Sequence, residues 1–138
     1  MSKSLRVAAV DLNGQLRGKR VPKGMSGKQM RMPLSVLNID VFGADIQESP
    51  LVFETGDQDG IMEPAGRDPV PLPWVAGEAE LDLRVMHNED GSPFEGDPRI
   101  ALSEVLNRYA HHGWQVIAAC ELEFFLLAEG DTLAPPLN

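Results

Sequence analysis

Residues 10–22 read Val-Asp-Leu-Asn-Gly-Gln-Leu-Arg-Gly-Lys-Arg-Val-Pro, and they decide how the chain begins to fold. An Asn-Gly pair at 13–14 separates two short extended runs, Leu5–Leu12 and Gln15–Val21. Such a pair is the strongest local signal for a hairpin, because both residues tolerate positive φ. Pro22 ends the second run. The sequence therefore predicts an antiparallel hairpin at the start of the chain.

Downstream of the hairpin, extended and helical patterns alternate around a long loop at Gly43–Trp74, which is rich in Gly, Pro and acidic residues. The clearest helix is capped by Asp97, has Pro98 in its first turn and stops at Gly113. This order predicts an α+β fold with a mostly antiparallel sheet. The remaining predicted features are a weak helix at Lys23–Met32, an extended stretch at Leu34–Val41, a short strand at Val70–Leu72, a strand at Glu78–Met86, a turn at Asn88–Gly91, and an apolar helix face of Ala101, Leu102, Val105, Leu106 and Tyr109.

Residues 115–127, Gln-Val-Ile-Ala-Ala-Cys-Glu-Leu-Glu-Phe-Phe-Leu-Leu, form an apolar run that predicts a buried strand. Glu121 and Glu123 interrupt it, and residues two apart in a strand point to the same face, about 6.6 Å apart at the usual rise. Buried carboxylates need a cation. Three interpretations stay open on this pattern: solvated acids on an edge strand, an ion pair with a distant Arg or Lys, and ligands of a hard divalent metal.

Composition limits the function classes. The chain has 138 residues and a net charge of −9, so we expect one domain-sized core and no nucleic-acid partner. The single cysteine, Cys120, excludes an internal disulfide framework, and its apolar neighbours predict a packed, inert thiol. No stretch has the pattern of a signal peptide or a membrane span. We therefore expect a cytoplasmic protein without a membrane partner.

Four motifs, taken together, resemble the N-terminal part of the glutamine synthetase superfamily, and more narrowly its γ-glutamyl-polyamine synthetase-like ligases. They cover nearly the whole chain in the family's order. The helix, glycine and strand setting of the last motif is the most specific feature. The motifs are residues 10–22, the Gly-Asp-Gln-Asp-Gly loop at 56–60 running to Pro73-Trp74, Asp97-Pro98-Arg99, and Glu-Leu-Glu-Phe-Phe-Leu at 121–126.

The resemblance implies a β-grasp N-terminal domain at residues 1–96, followed at 97–138 by the helix and first strand of a larger catalytic domain. It also implies that Glu121 and Glu123 each bind one of two Mg²⁺ or Mn²⁺ ions near the phosphates of ATP. On this basis metal ligation is the favoured interpretation of the two acids. The rest of the catalytic domain is missing, so we expect a truncated chain that alone is inactive and binds no cofactor tightly.

The implied reaction of the full-length enzyme is ATP-dependent joining of glutamate to ammonia or another amine through γ-glutamyl phosphate. In the family, subunits form a homo-oligomeric ring, and the N-terminal domain lends a loop to its neighbour's active site. An aspartate on that loop helps to bind and deprotonate the amine, which makes Asp57 and Asp59 the candidates here. The loop departs from the Asp-Gly-Ser-Ser pattern of ammonia-using members, and this favours a larger amine.

Two hypotheses from other classes remain. The chain is alternatively a standalone β-grasp interaction module whose apolar final strand docks on a partner, or a regulatory pseudo-subunit that joins full-length rings. The module hypothesis predicts a monomeric purified chain in which that strand is covered internally. If the chain is instead a truncated enzyme, we expect residues 114–127 to lack sheet partners and to be exposed, self-paired or prone to aggregation.

Overall fold

A computed structural model of the protein describes residues 4–77 and 79–127. Within these residues, six strands form one mixed sheet, together with two α-helices and two short 3₁₀ segments. No described helix is long and apolar enough to cross a membrane. In chain order the elements are β1 (Ser4–Val10), β2 (Leu16–Pro22), a 3₁₀ turn (Lys23–Met25), β3 (Met30–Pro33), a second 3₁₀ segment (Leu34–Leu37), α1 (Pro50–Phe53), β4 (Asp59–Pro64), β5 (Val70–Leu72), β6 (Ala79–His87) and α2 (Pro98–His111).

The strand order is β2-β1-β6-β4-β3, with β5 also paired to β6. Only β1 and β6 run parallel, and every other described pair is antiparallel. The sheet curves strongly, since Lys19 Nζ on one outer strand donates to the Arg31 carbonyl on the other at 2.6 Å. The predicted mixture of helix with a mostly antiparallel sheet is confirmed at this level. The β-grasp assignment and the division at residues 96 and 97 stay predictions.

The predicted hairpin is confirmed, with Val10 paired to Leu16 across its end. Only Gly14 of the Asn-Gly pair takes positive φ, at 76°. The buried Asp11 organises the turn by accepting hydrogen bonds from the amides of Asn13 at 2.9 Å and Gln15 at 2.8 Å, and from Arg17 Nε at 2.8 Å. The turn is therefore held by a side chain as well as by backbone geometry.

The strand predicted at Glu78–Met86 is confirmed as β6, with Glu78 itself outside the described residues. Its buried side chains are not the aliphatic Leu81, Leu83 and Val85, which are half-buried. Apart from Ala79, the buried side chains belong to Asp82, Arg84 and Met86. Pairing with β1 and β4 determines which face of β6 is buried. It places Asp82 opposite Val7 and Met86 opposite Met62, and both of these partners are core residues. The sheet's inner face is lined by Leu5, Val7, Ala9, Met30, Met32, Leu34, Leu37, Met62 and Met86.

Three predictions between residues 23 and 74 are wrong. The weak helix predicted at Lys23–Met32 is a 3₁₀ turn followed by β3, because Met30 and Met32 pack into the core as alternate residues of a strand. The extended stretch predicted from Leu34 begins as 3₁₀ helix. The long loop contains β4, which alternation alone did not reveal because it is bounded by Asp59 and Pro64.

Helix α2 starts as predicted at the Asp97 cap and is followed by Gly113 with φ 71°. Asp97 is fully buried, accepts from the amides of Arg99 and Ile100, and also accepts from the Met86 amide of β6 at 2.8 Å. This one carboxylate ties the helix to the sheet. Beyond Ile100, every helix residue is exposed, including the predicted apolar face. The one ring contact described for that face joins Tyr109 to Trp114, just beyond the helix, with ring centroids 6.0 Å apart.

The buried strand predicted at 115–127 is wrong in this structure. Each residue from Trp114 to Leu127 is exposed and has neither helical nor strand conformation. Extended backbone is held as a strand by ladder hydrogen bonds to a neighbour, and none of the six described strands pairs with residues 114–127. Cys120, predicted to be packed, is accordingly exposed. The final residues, 128–138, lie outside the described part of the chain.

Candidate functional site

The loop that carries Asp57 and Asp59 connects α1 to β4. Helix α1 is short and is capped by Ser49, whose hydroxyl accepts from the Leu51 amide at 3.4 Å. The chain then turns back on itself, since the Asp57 amide donates to the Val52 carbonyl at 3.1 Å. Gly56 takes φ 68° in this turn, a conformation that glycine adopts without a steric penalty. The loop is thus a defined turn at one end of the sheet.

Asp57 takes φ 56° and is the one non-glycine residue with positive φ in the described part of the chain. Its Oδ1 accepts a hydrogen bond from Ser35 Oγ at 2.5 Å. Ser35 is buried in the second 3₁₀ segment, whereas Asp57 is exposed. The Asp57 carboxylate therefore lies at the surface, and one of its oxygens is hydrogen-bonded to a buried serine.

Asp59 is also exposed, but it occupies the first position of β4, paired with Pro33. Within residues 4–77 and 79–127, no hydrogen bond or ion pair engages its carboxylate. The structure thus places Asp57 on the loop and Asp59 at the adjoining start of β4, with different surroundings.

Residues on both sides of the aspartates fix the path of the loop. The Gln58 carbonyl accepts from the Leu34 amide at 3.0 Å, and Gln58 Nε2 donates to Glu89 at 3.4 Å. Gly60 follows, where a Cβ would lie 2.4 Å from a methyl group of Leu34 and 2.7 Å from the His87 carbonyl. A larger residue would push the loop off β6, so glycine is required there by close packing.

Glu121 and Glu123 lie on the exposed segment after α2. Both supply hard carboxylate oxygens of the kind Mg²⁺ and Mn²⁺ accept, and no ion pair of the described residues occupies either side chain. They therefore fit as part of a metal ligand set. The described residues contain no cluster of three or more His, Cys, Asp or Glu side chains placed to hold a metal ion. Nor does any hydrogen bond or ion pair of the described chain join the glutamates to the aspartate loop.

Ser35 is the site residue that the sequence did not reveal. It lies 22 positions before Asp57, in a stretch predicted to be extended, and serine carries no local signal for such a contact. Buried Asp82 and Arg84 were also missed, because their sequence positions read as the solvent face of a strand. Both findings depend on how distant segments pack.

A family model described as "Glutamine synthetase, catalytic domain" matches residues 95–136, a range that contains α2, Glu121 and Glu123. The γ-glutamylputrescine synthetase of Escherichia coli is 34% identical over 145 aligned residues, which span 94% of this chain and 29% of that enzyme. Thus the chain spans under a third of the length of this relative. The resemblance to the glutamine synthetase superfamily is confirmed.

Solved structures agree with this family at the level of the fold. A crystal structure of a glutamine synthase homolog superposes with a TM-score of 0.67 at 17% identity, over 81% of this chain and 28% of that one. A GmaS/ADP complex superposes with a TM-score of 0.56 at 27% identity, over 80% of this chain and 24% of that one. The mixed sheet with few helices is therefore a fold that occurs in glutamine synthetase-like proteins.

Proposed function

We propose that this chain is the N-terminal part of an ATP-dependent ligase that joins the γ-carboxylate of glutamate to an amine. The observation that carries the proposal is the 34% identity to γ-glutamylputrescine synthetase along 94% of the chain. The active enzyme is a homo-oligomeric ring in the cytoplasm, with sites between subunits. The 138 residues alone are inactive.

The reaction proceeds in two steps. The glutamate γ-carboxylate attacks the γ-phosphorus of ATP, which releases ADP and forms γ-glutamyl phosphate. The amine nitrogen then attacks the acyl carbon, phosphate leaves, and the nitrogen loses a proton to give the γ-glutamyl amide. Glu121 and Glu123 would hold Mg²⁺ or Mn²⁺, and such an ion would neutralise charge on the phosphates.

The aspartate loop receives the amine. An ammonium group needs a nearby carboxylate to bind, and it must lose a proton before its nitrogen can attack. Asp57 and Asp59 are both exposed on a loop of fixed path, which supports this role. The Gly-Asp-Gln-Asp-Gly sequence, together with the identity to γ-glutamylputrescine synthetase, favours a polyamine or other amine larger than ammonia.

The exposure of residues 114–127 supports an extensive interface with further catalytic structure. Large apolar side chains rarely stand exposed together on a free monomer. Here Ile117 is 89% exposed, Leu122 88% and Phe125 92%. In the intact ligase this segment is covered as a strand of the catalytic domain.

The test compares two proteins: the 138-residue chain and the full-length ligase that begins with it. Each is incubated with glutamate, ATP, Mg²⁺ and either ammonia or putrescine, and both ADP and the γ-glutamyl amide are quantified. We expect amide from the full-length protein only, with putrescine preferred. ATP-dependent amide formation by the 138 residues, or none by the full-length protein, would overturn the proposal.

A standalone interaction module remains the second candidate, and one observation favours it. The whole described apolar core lies between Leu5 and Ile100, so the sheet is a self-contained unit. A module predicts a monomer in size-exclusion chromatography and slow amide exchange at residues 114–127. The ligase proposal predicts fast exchange there, or self-association through that segment.

A further inference from the structure

Asp57 is held in a conformation that its residue type disfavours. An L-residue with positive φ costs free energy, although Asp tolerates it better than most. Such outliers persist where surrounding contacts impose them, and they are concentrated at functional sites. Two hydrogen bonds impose the positive φ of Asp57. Its backbone N–H donates to the Val52 carbonyl, and the Ser35 hydroxyl donates to its carboxylate.

Ser35 is well placed to fix the Asp57 side chain. Ser35 is only 5% exposed. The backbone N–H of the preceding residue, Leu34, donates to the Gln58 carbonyl. The loop is therefore bound to the same buried segment at two consecutive residues, Asp57 and Gln58. A hydroxyl held in this way lowers the rotational freedom of the carboxylate that accepts from it.

The Ser35 bond uses one oxygen of Asp57 and leaves the other open. In the described part of the chain, Oδ2 of Asp57 makes no hydrogen bond, and the residue faces solvent. A group that binds a ligand works best when neighbouring contacts lock its side chain and leave its binding atom free. Asp57 meets this condition, and Asp59, which has no partner in the described residues, does not.

We propose that Ser35 is a positioning residue for Asp57, and that Asp57, rather than Asp59, is the carboxylate that receives the substrate amine. This rests on the proposed ligase function. Oδ1 is held by Ser35, so Oδ2 accepts an N–H of the ammonium form and then takes the proton that the nitrogen loses. Ser35 acts only through Asp57 and touches no substrate.

The first test uses the 138-residue chain and measures hydrogen exchange of the Asp57 and Leu34 amides. We expect Ser35→Ala to speed their exchange roughly three- to tenfold, as for loss of one hydrogen bond. Ser35→Thr keeps the hydroxyl and should restore slow exchange. Asp57→Ala combined with Ser35→Ala should match Asp57→Ala alone, because the Ser35 hydroxyl has no contact left to lose once the carboxylate is gone. Additive effects, or no change in Ser35→Ala, would overturn the positioning role.

The second test measures the KM of the full-length ligase for the amine and for glutamate. We expect Ser35→Ala to raise the amine KM about tenfold, with the glutamate KM unchanged and with recovery in Ser35→Thr. Asp57→Asn should reduce kcat/KM for the amine far more than Asp59→Asn does. Glu54→Gln removes a nearby exposed charge and is the matched control. A larger effect from Asp59→Asn than from Asp57→Asn would refute the assignment.

The two tests separate the possible failures. If the full-length protein forms no γ-glutamyl amide, the proposed function fails, and the amine role of Asp57 fails with it. The exchange measurements still decide whether Ser35 positions Asp57. If amide forms but Ser35→Ala leaves the amine KM unchanged, the ligase function stands and this inference is wrong.

Discussion

Two charged side chains, Asp82 and Arg84, lie inside the sheet on β6. The Arg84 guanidinium binds the Asp82 carboxylate through two contacts, Nε to Oδ1 at 3.0 Å and Nη2 to Oδ2 at 2.6 Å. The side chains are 2% and 7% exposed. Burial of a single charge is costly, whereas a two-point pair offsets much of that cost. The pair therefore permits strand β6 to bury its charged face.

We expect Arg84→Ala to lower the free energy of unfolding by about 3–5 kcal/mol, because it leaves the Asp82 carboxylate buried without its partner. Urea denaturation followed by circular dichroism measures the change. Replacing both residues, as Asp82→Leu with Arg84→Met, should recover most of the loss.

The control is Arg31→Ala, which breaks the ion pair with Glu89. That pair is solvent-exposed, at 42% and 57%, so we expect a loss below about 1 kcal/mol. Equal losses from the buried and the exposed pair would contradict the argument that burial sets the cost.

Asp11 makes the stability of the hairpin pH-dependent. Burial raises the pKa of its carboxyl, but hydrogen bonds from Arg17 and from the amides of Gln15 and Asn13, with the charge of Arg17, outweigh burial and bring the pKa below 3.8. A carboxyl with a lower pKa in the folded protein stabilises the fold above its unfolded pKa. That contribution is lost as the pH falls from 3.8 through the folded pKa.

Thermal unfolding of wild type and Asp11→Asn between pH 2.5 and 6 tests this. The difference in stability should be largest near pH 6 and should shrink below pH 3.8, as wild-type Asp11 takes up its proton. A difference that is constant over this range would show that Asp11 does not titrate as described.

At the scale of elements, the described part of the chain joins α2 to the sheet by the first turn of the helix only. Asp97 bonds the Met86 amide, and Ile100 is 8% exposed, whereas Leu102 is 58% exposed. An amphipathic helix is normally stabilised by packing of its apolar stripe. In α2 the stripe is exposed, so the Asp97 cap and the Ile100 side chain provide the described attachment to the sheet.

We therefore expect opposite results from two similar truncations in α2. Ile100→Ala should lower the free energy of unfolding by about 2 kcal/mol, because it leaves a cavity at a packed position. Leu102→Ala should change the free energy of unfolding by less than about 0.5 kcal/mol. Denaturant unfolding of the 138-residue chain measures both. A substantial cost for Leu102→Ala would mean that the stripe is covered, for instance by self-association, which a repeat at different protein concentrations would reveal.

At the scale of the whole molecule, the described chain is a curved sheet with an exposed apolar segment that bears Glu121 and Glu123. Mg²⁺ gives up its water reluctantly and needs a nearly complete octahedral set of ligands. Two carboxylates on an unpaired segment provide few of these. The segment therefore carries two side chains that can bind a metal ion, but the described residues do not supply the further ligands that would surround the ion.

Calorimetric titration of the 138-residue chain with Mg²⁺ should accordingly show only weak binding, with a dissociation constant above about 1 mM. The full-length ligase should bind more tightly, and Glu121→Gln with Glu123→Gln should abolish the difference. Tight stoichiometric binding by the 138 residues would contradict the proposal that further ligands come from outside this chain.

Local signals account for the parts of the fold that sequence predicted well. The hairpin at Asn13-Gly14, strand β6 and the start of α2 at Asp97 are set by turn residues, alternation and capping, which act within a few positions. Strand β4 and the 3₁₀ segment at Leu34–Leu37 escaped prediction because packing against distant strands selects their conformation. Of the site, the aspartate loop and the glutamates were found through motifs, and their roles remain predictions.

The amino-acid sequence by itself determined the resemblance to the glutamine synthetase superfamily, the hairpin, the capped helix and which acids are candidates, because those depend on residue identity and short spacing. Tertiary structure alone decided that β6 buries Asp82 and Arg84, that Ser35 holds Asp57, and that residues 114–127 stand exposed. The physical reason is the same in each case. Strand register and ladder partners are supplied by segments far away in the chain, and they determine which face is buried and which strand forms.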